Sequence, residues 1–97
     1  MNEVVINDNS FLRQYESSMN GHLAKIEYSL QERKVFLTKL IIPEEITEIT
    51  FQEQFIVAVL NDIQEKNLRV VPTSPEVASF LRKNRRYKDM LPVGIRI

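Results

Sequence analysis

The residue pattern predicts an α+β domain in the order ββββ-α-β-α, an antiparallel meander followed by a crossover. Three features predict it. His22 to Leu30 alternates, with Ala24, Ile26, Tyr28 and Leu30 on one face and Leu23, Lys25, Glu27 and Ser29 on the other. Beyond Pro43, apolar residues recur at helical spacing: Phe51, Phe55, Ala58 and Val59, with Ile56, Leu60 and Ile63 beside them. A short strand, Leu68 to Val71, then stops at Pro72 and is followed by Ser74-Pro75, a helix start signal.

Taken in order, Val4 to Ile6 is a short strand closed by the turn cluster Asn7-Asp8-Asn9-Ser10. Phe11 to Glu16 is a second strand, with Leu12 and Gln14 on one face and Arg13 and Tyr15 on the other. Asn20-Gly21 is a strong hairpin signal, because both residues tolerate positive φ. Gln31 to Lys34 is a polar turn into Val35 to Ile42, which is apolar on both faces apart from Thr38 and Lys39 and so is expected to be central. Pro43 lacks an N–H and ends that strand. Thr50-Phe51-Gln52-Glu53 has the form of a capping box, and Asn67 suits the residue just past the helix end. Val77, Phe80 and Leu81 give a second, shorter amphipathic helix ending near Asn84. Arg85 to Met90 reads as irregular, and Val93 to Ile97 as a last edge strand.

The bulk numbers set bounds. At 97 residues the chain is expected to form one domain. It is 43% apolar and 27% charged with no net charge, so no global basic field favours nucleic acid, and a homodimer is a reasonable expectation. The absence of cysteine excludes disulfides, zinc-thiolate sites and a cysteine nucleophile. No metal site is expected. The N-terminus lacks a basic, then apolar, leader pattern and no run is long enough to span a membrane, so the expected location is the cytoplasm.

The order and spacing of several short pieces resemble the minimal, single-domain members of the GNAT superfamily of acetyltransferases. The pieces are Arg13, Tyr15, Glu16, Gly21, Ala24, Ile26 and Tyr28, then Val70-Val71-Pro72-Thr73-Ser74-Pro75, and finally Tyr87-Lys88-Asp89-Met90. The resemblance covers nearly all of residues 4 to 91. It implies a twisted sheet whose fourth and fifth strands part to admit acetyl-CoA or CoA. The backbone of Leu40, Ile41 and Ile42 would line the pantetheine. The loop formed by Glu48, Ile49, Thr50 and Phe51 would cradle the pyrophosphate at the helix N-terminus. An amine substrate is implied as acceptor.

The family's phosphate loop is glycine-rich, and counting from Pro43 its glycines fall on Glu48 and Thr50, with Ile49 between them. Glycine lets bare backbone turn its N–H groups toward phosphate at positive φ, which glutamate and β-branched residues resist. Glu44, Glu45 and Glu48 also set carboxylates beside the anion. These departures imply a weakened or lost phosphate grip, and with it the alternative of a non-catalytic interaction module on the same fold. By the resemblance, Ser74 stands where the family has cysteine, which makes it a candidate nucleophile or polar contact near the thioester, and Tyr87 where a tyrosine protonates the leaving thiolate. Read from the residues alone, Ser74 is a helix N-cap and Tyr87 a buried aromatic anchor. His22, the sole histidine, reads as a surface strand residue. Arg82-Lys83-Asn84-Arg85-Arg86-Tyr87-Lys88 is the one dense basic cluster. It reads as a solvated helix end complementing the dipole, with nucleic acid or the CoA 3′-phosphate as the other readings.

Overall fold

A computed structural model describes residues 4–95. Five strands, β1 (Asn7–Asn9), β2 (Gln14–Met19), β3 (His22–Gln31), β4 (Lys34–Ile41) and β5 (Arg69–Pro72), form one sheet in sequence order. The first four pair antiparallel, and β5 pairs parallel to β4. Helix α1 (Phe51–Glu65) makes the crossover, and α2 (Pro75–Lys83) follows β5 and leads into a 3-10 helix, Arg85–Met90. The ββββ-α-β-α order is therefore the observed one.

The core sits between one face of the sheet and the helices. Tyr15, Ala24, Ile26, Val35, Leu37 and Val70 form a single buried cluster with Phe51, Phe55, Ile56, Val59, Leu60 and Ile63 of α1 and Val77, Phe80 and Leu81 of α2. The opposite face carries Phe36 and Val71 side by side, both half-buried, together with exposed Leu23. Both two-residue hairpins turn through positive φ, as their tight reversal demands. Asn20 and Gly21 (φ 53° and 81°) join β2 to β3, and Glu32 and Arg33 (φ 49° and 66°) join β3 to β4. Asn67 (φ 58°) ends α1, with its own N–H bonded to Gln64 and that of Leu68 to Ile63.

Several boundaries differ from the sequence expectation. Val4 to Ile6 does not join the sheet. The predicted turn Asn7–Asn9 is the first strand instead, because the Glu16 carboxylate on β2 accepts from the side-chain amides of Gln14 (2.5 Å), Asn9 (3.0 Å) and Asn7 (3.4 Å). Those donors, Gln14 first, hold the Glu16 carboxyl below its usual range. Val4 and Ile6 spend their apolar surface against the core cluster. The second strand starts three residues later than expected. Phe11 is 90% exposed, the Leu12 amide donates to the Asn9 side chain, and Arg13 has φ 57°, which together make a turn. Strand β4 is second from the edge, between β3 and β5, and not central. The capping box does not form. Thr50 already has helical backbone angles (φ −89°, ψ −5°), which aim its hydroxyl away from the amide it would cap. Arg85–Met90 is ordered, with Tyr87 and Met90 buried. Of the expected last strand, residues 93–95 form a turn closed by the Ile95 amide on the Pro92 carbonyl, and the rest lies outside the described residues.

Candidate functional site

Two polar residues in an apolar strand, Thr38 and Lys39, mark where the site begins. Glu27 of β3 pairs with Lys39 and the next residue, Tyr28, pairs with Leu37, so Thr38 is an extra residue in β4. A bulge of this kind reverses which side chains face inward. Before it, Val35 and Leu37 are buried and Phe36 faces the other side; after it, Leu40 joins the core, while Lys39 is exposed. The Thr38 hydroxyl donates to the Glu27 carbonyl at 3.1 Å and pins the bulge.

The backbone reverses as well. The Tyr28 amide donates to Arg13 at the start of β2, so along β3 the polar groups of Tyr28 and Ile26 face β2 and not β4. Leu40, opposite Ile26, therefore turns its own N–H and C=O away from β3. Among the described residues no strand lies on that side. The β4–β5 pairing stops at Leu37 and Pro72, and the Leu37 carbonyl accepts from the Ser74 amide (2.8 Å) and the Thr73 hydroxyl (3.0 Å) as the chain leaves. Beyond Leu37 the edge of β4 is open.

The chain then passes from Ile42 through a turn closed by the Ile46 amide on the Pro43 carbonyl, and reaches α1. Ile46 is buried and fastens this loop to the core, whereas Glu44, Glu45 and Glu48 are exposed and Ile49 is 95% exposed. None of residues 42–51 has a positive φ. Phe51, 1% exposed, donates its N–H to the Glu48 carbonyl, and the first helical bond runs from the Gln54 amide to Thr50. The amides of Gln52 and Glu53 in the first turn have no partner among the described residues.

Leu40, Ile42, Ile46 and Phe51 share one apolar cluster, which brings the β4 edge and the helix start together. Ser74 is fully buried at the N-cap of α2. Its hydroxyl donates to the Glu76 carboxylate (2.9 Å) and accepts from the Val77 amide (3.5 Å). Tyr87 lies past the other end of α2 and is 7% exposed. Its hydroxyl accepts from Arg86, whose guanidinium also lies 4.9 Å from the ring centre, and Phe80 packs alongside at 5.8 Å. The two residues are thus at opposite ends of a nine-residue helix and do not form a pair. His22 sits half-exposed beside the β2–β3 turn.

A second polar group, at the far end of α1, was not read from the sequence. Lys66 bridges Asp62 (2.7 Å) and Asp8 (2.8 Å), the Tyr15 hydroxyl donates to Asp62 (2.8 Å), and the Tyr28 hydroxyl donates to Asp8 (2.6 Å). Burial, then the bond to Asp62, pushes the Tyr15 hydroxyl far above its ordinary range. Tyr28 is raised to about 12 by burial and by Asp8. Partial burial pulls Lys66 downward, but its bonds to Asp62 and Asp8 outweigh this and leave it raised to about 12. Every member is satisfied by another, so the group is a clip joining β1, β2 and β3 to α1. Its members are up to 58 positions apart, which no local motif could have signalled. The bulge did leave a signal, in the polar pair that interrupts β4.

A bulged strand whose edge opens beside a helix N-terminus is the site geometry of this α+β domain. Residues 14–90 match the family of GCN5-related N-acetyl-transferases, and the chain belongs to that family. A GCN5-like protein from Staphylococcus aureus, solved by NMR, shares the fold with a TM-score of 0.70 at 18% identity, over 99% of this chain and 94% of that one. No curated protein sequence matches the chain. Among the described residues no helix is long and apolar enough to cross a membrane.

Proposed function

We propose that this chain is an acetyl-CoA-dependent N-acetyltransferase-like protein of the minimal type, with a weakened hold on the cofactor's pyrophosphate. The observation that carries the reading is the Leu40 backbone, turned by the bulge toward the open edge of β4. An extended pantetheine arm can pair with such an edge as an added strand does, through main-chain hydrogen bonds. Leu40 and Ile42 would supply those bonds, and Ile41 lies between them on the opposite face. Bound acetyl-CoA supplies an activated acyl group. The chain's own part is to hold an amine in line with that group and to direct a backbone N–H of β4 at the carbonyl oxygen, where charge develops. This requires no histidine or cysteine.

The phosphate end fits less well. Free amides at Gln52 and Glu53 and the positive end of α1 favour an anion. The loop before them contains no residue in the left-handed region that builds a phosphate cradle, and it carries Glu44, Glu45 and Glu48. Ser74 is spoken for by its cap and by Glu76, so we assign it to shaping the end of β5. The Tyr87 hydroxyl accepts from Arg86 and keeps its own O–H to donate, so Tyr87 remains the candidate proton donor.

Isothermal titration with acetyl-CoA and desulfo-CoA tests the reading. The expected result is saturable heat, with a dissociation constant on the order of 0.1–1 mM. No heat at millimolar ligand would overturn it and leave the alternative, a non-catalytic interaction module and homodimer, which sedimentation would then have to show.

A further inference from the structure

The basic cluster at the end of α2 is organised in a way that its composition did not reveal. Arg82 lies in the last turn of α2, and after Asn84 the chain winds as a 3-10 helix. Side chains three apart on such a helix stand one above the other, so Arg85 and Lys88 align along one edge. With Arg82 they line a concave pocket of about 570 Å³, whose apolar side is formed by Leu81, Leu91 and Pro92. That volume is within the range of small-ligand sites.

The charge in this pocket is unbalanced. Some cations of the chain are committed: Lys66 to Asp8 and Asp62, Lys25 to Glu27, Arg69 to the Asp89 carbonyl, Arg33 to the Asn67 carbonyl, and Arg86 to Tyr87. Arg13, Lys34, Lys39 and Lys83 make no such bond among the described residues but do not line this pocket. Arg82, Arg85 and Lys88 have no ion pair or side-chain hydrogen bond among the described residues. Glutamate and aspartate are both missing from the residues that line the pocket. Nor is this the cofactor gap. Ser74 touches Leu37 at the gap, and Arg82 is eight residues further along, about 12 Å of helix away. The 3-10 helix is tied by Arg69 to the start of β5, whereas the gap opens past its end.

We propose that this pocket is a second binding site, for a small phosphate monoester with an apolar or flat body. A monoester phosphate carries close to two negative charges at neutral pH and three acceptor oxygens. It balances three cations better than a single carboxylate does, and two guanidinium forks suit its geometry. The apolar side of the pocket would take the ester's body.

Phenyl phosphate is a direct probe, followed by NMR at the Arg82 and Arg85 side-chain N–H groups and the Gly94 amide. Saturable shifts are expected, with a dissociation constant on the order of 1 mM, about tenfold tighter than inorganic phosphate. The double variant R82Q/R85Q should weaken phenyl phosphate by about tenfold or more, as expected for lost charged hydrogen bonds, and leave the acetyl-CoA titration and the thermal midpoint unchanged. Linear, unsaturable shifts would overturn the proposal, as would equal binding by R82Q/R85Q. A single-stranded oligonucleotide that binds where phenyl phosphate does not would overturn it in favour of an open polyanion surface. Loss of acetyl-CoA binding in R82Q/R85Q would overturn it by making the pocket part of the cofactor site.

Discussion

The two ends of α1 are built on opposite plans. At the C-terminal end a left-handed Asn67 closes the helix, and Lys66 and Asp62 lock it to three strands through Asp8, Tyr15 and Tyr28. At the N-terminal end Thr50 makes no side-chain cap, the preceding loop is exposed from Thr47 to Thr50, and first-turn amides are free. Buried Phe51 and Ile46 hold that end down. The contrast teaches that order at one end comes from polar satisfaction and at the other from apolar anchoring alone. Backbone donors can be left free where an anion would bind.

Removing the anchor should break the comparison most severely. Phe51→Ala deletes a buried aromatic and should cost about 3–5 kcal/mol, a fall in thermal midpoint of roughly 15 °C or more. A loss under about 1 kcal/mol would mean the N-terminal end is held by something else. On the clip, Tyr15→Phe should cost about 1–2 kcal/mol in urea denaturation, because Asp62 loses a buried donor, while acetyl-CoA binding stays the same. Glu48→Gly with Thr50→Gly should act in the reverse manner, tightening acetyl-CoA by about tenfold, or about 1.4 kcal/mol, with little change in stability. A flat response in titration would count against any phosphate site at this helix end. Ser74→Ala should cost about 1 kcal/mol as a lost cap without affecting acetyl transfer to a test amine.

The smallest effect is one of pH, and it belongs to the clip alone. Lys66 and Tyr28 are both raised to about 12 in the folded chain, from ordinary values of 10.5 and 10.0. A group that holds its proton more tightly when folded stabilises fully below its unfolded value and loses that contribution as pH rises through the folded one. Thermal midpoints should therefore be level up to about pH 10 and decline from there to about 12. Tyr28→Phe should start lower and decline less. Both groups keep contact with solvent, which limits the size of the effect.

What the sequence made legible follows the range of the forces involved. The alternation of Ala24 and Ile26, the helical spacing of Phe51 to Ile63, the Asn20-Gly21 turn and the Ser74-Pro75 start are local patterns, and each is found where its pattern puts it. The first strand was misplaced because Asn7–Asn9 looks like a turn until Glu16, on the neighbouring strand, arrives to accept its amides. Thr50 matched the capping pattern, but the backbone conformation decides whether a hydroxyl can reach, and composition does not encode that. The stretch proposed to line the cofactor, Leu40 to Ile42, was located through family resemblance. Its physical basis, the reversal of the strand at Thr38, rests on register with β3 and is visible only in three dimensions.

That surplus residue has a consequence for how the chain can change. Inside and outside along the last part of β4 are set by a count: loss of Thr38 would leave a regular ladder with Lys39 still opposite Glu27 and Leu40 still opposite Ile26, whereas one more residue at the bulge would swing Lys39 inward and Leu40 into water. Insertions at this spot should be far rarer among descendants than substitutions. The open edge of β4 is thus guarded against added residues by arithmetic more than by chemistry.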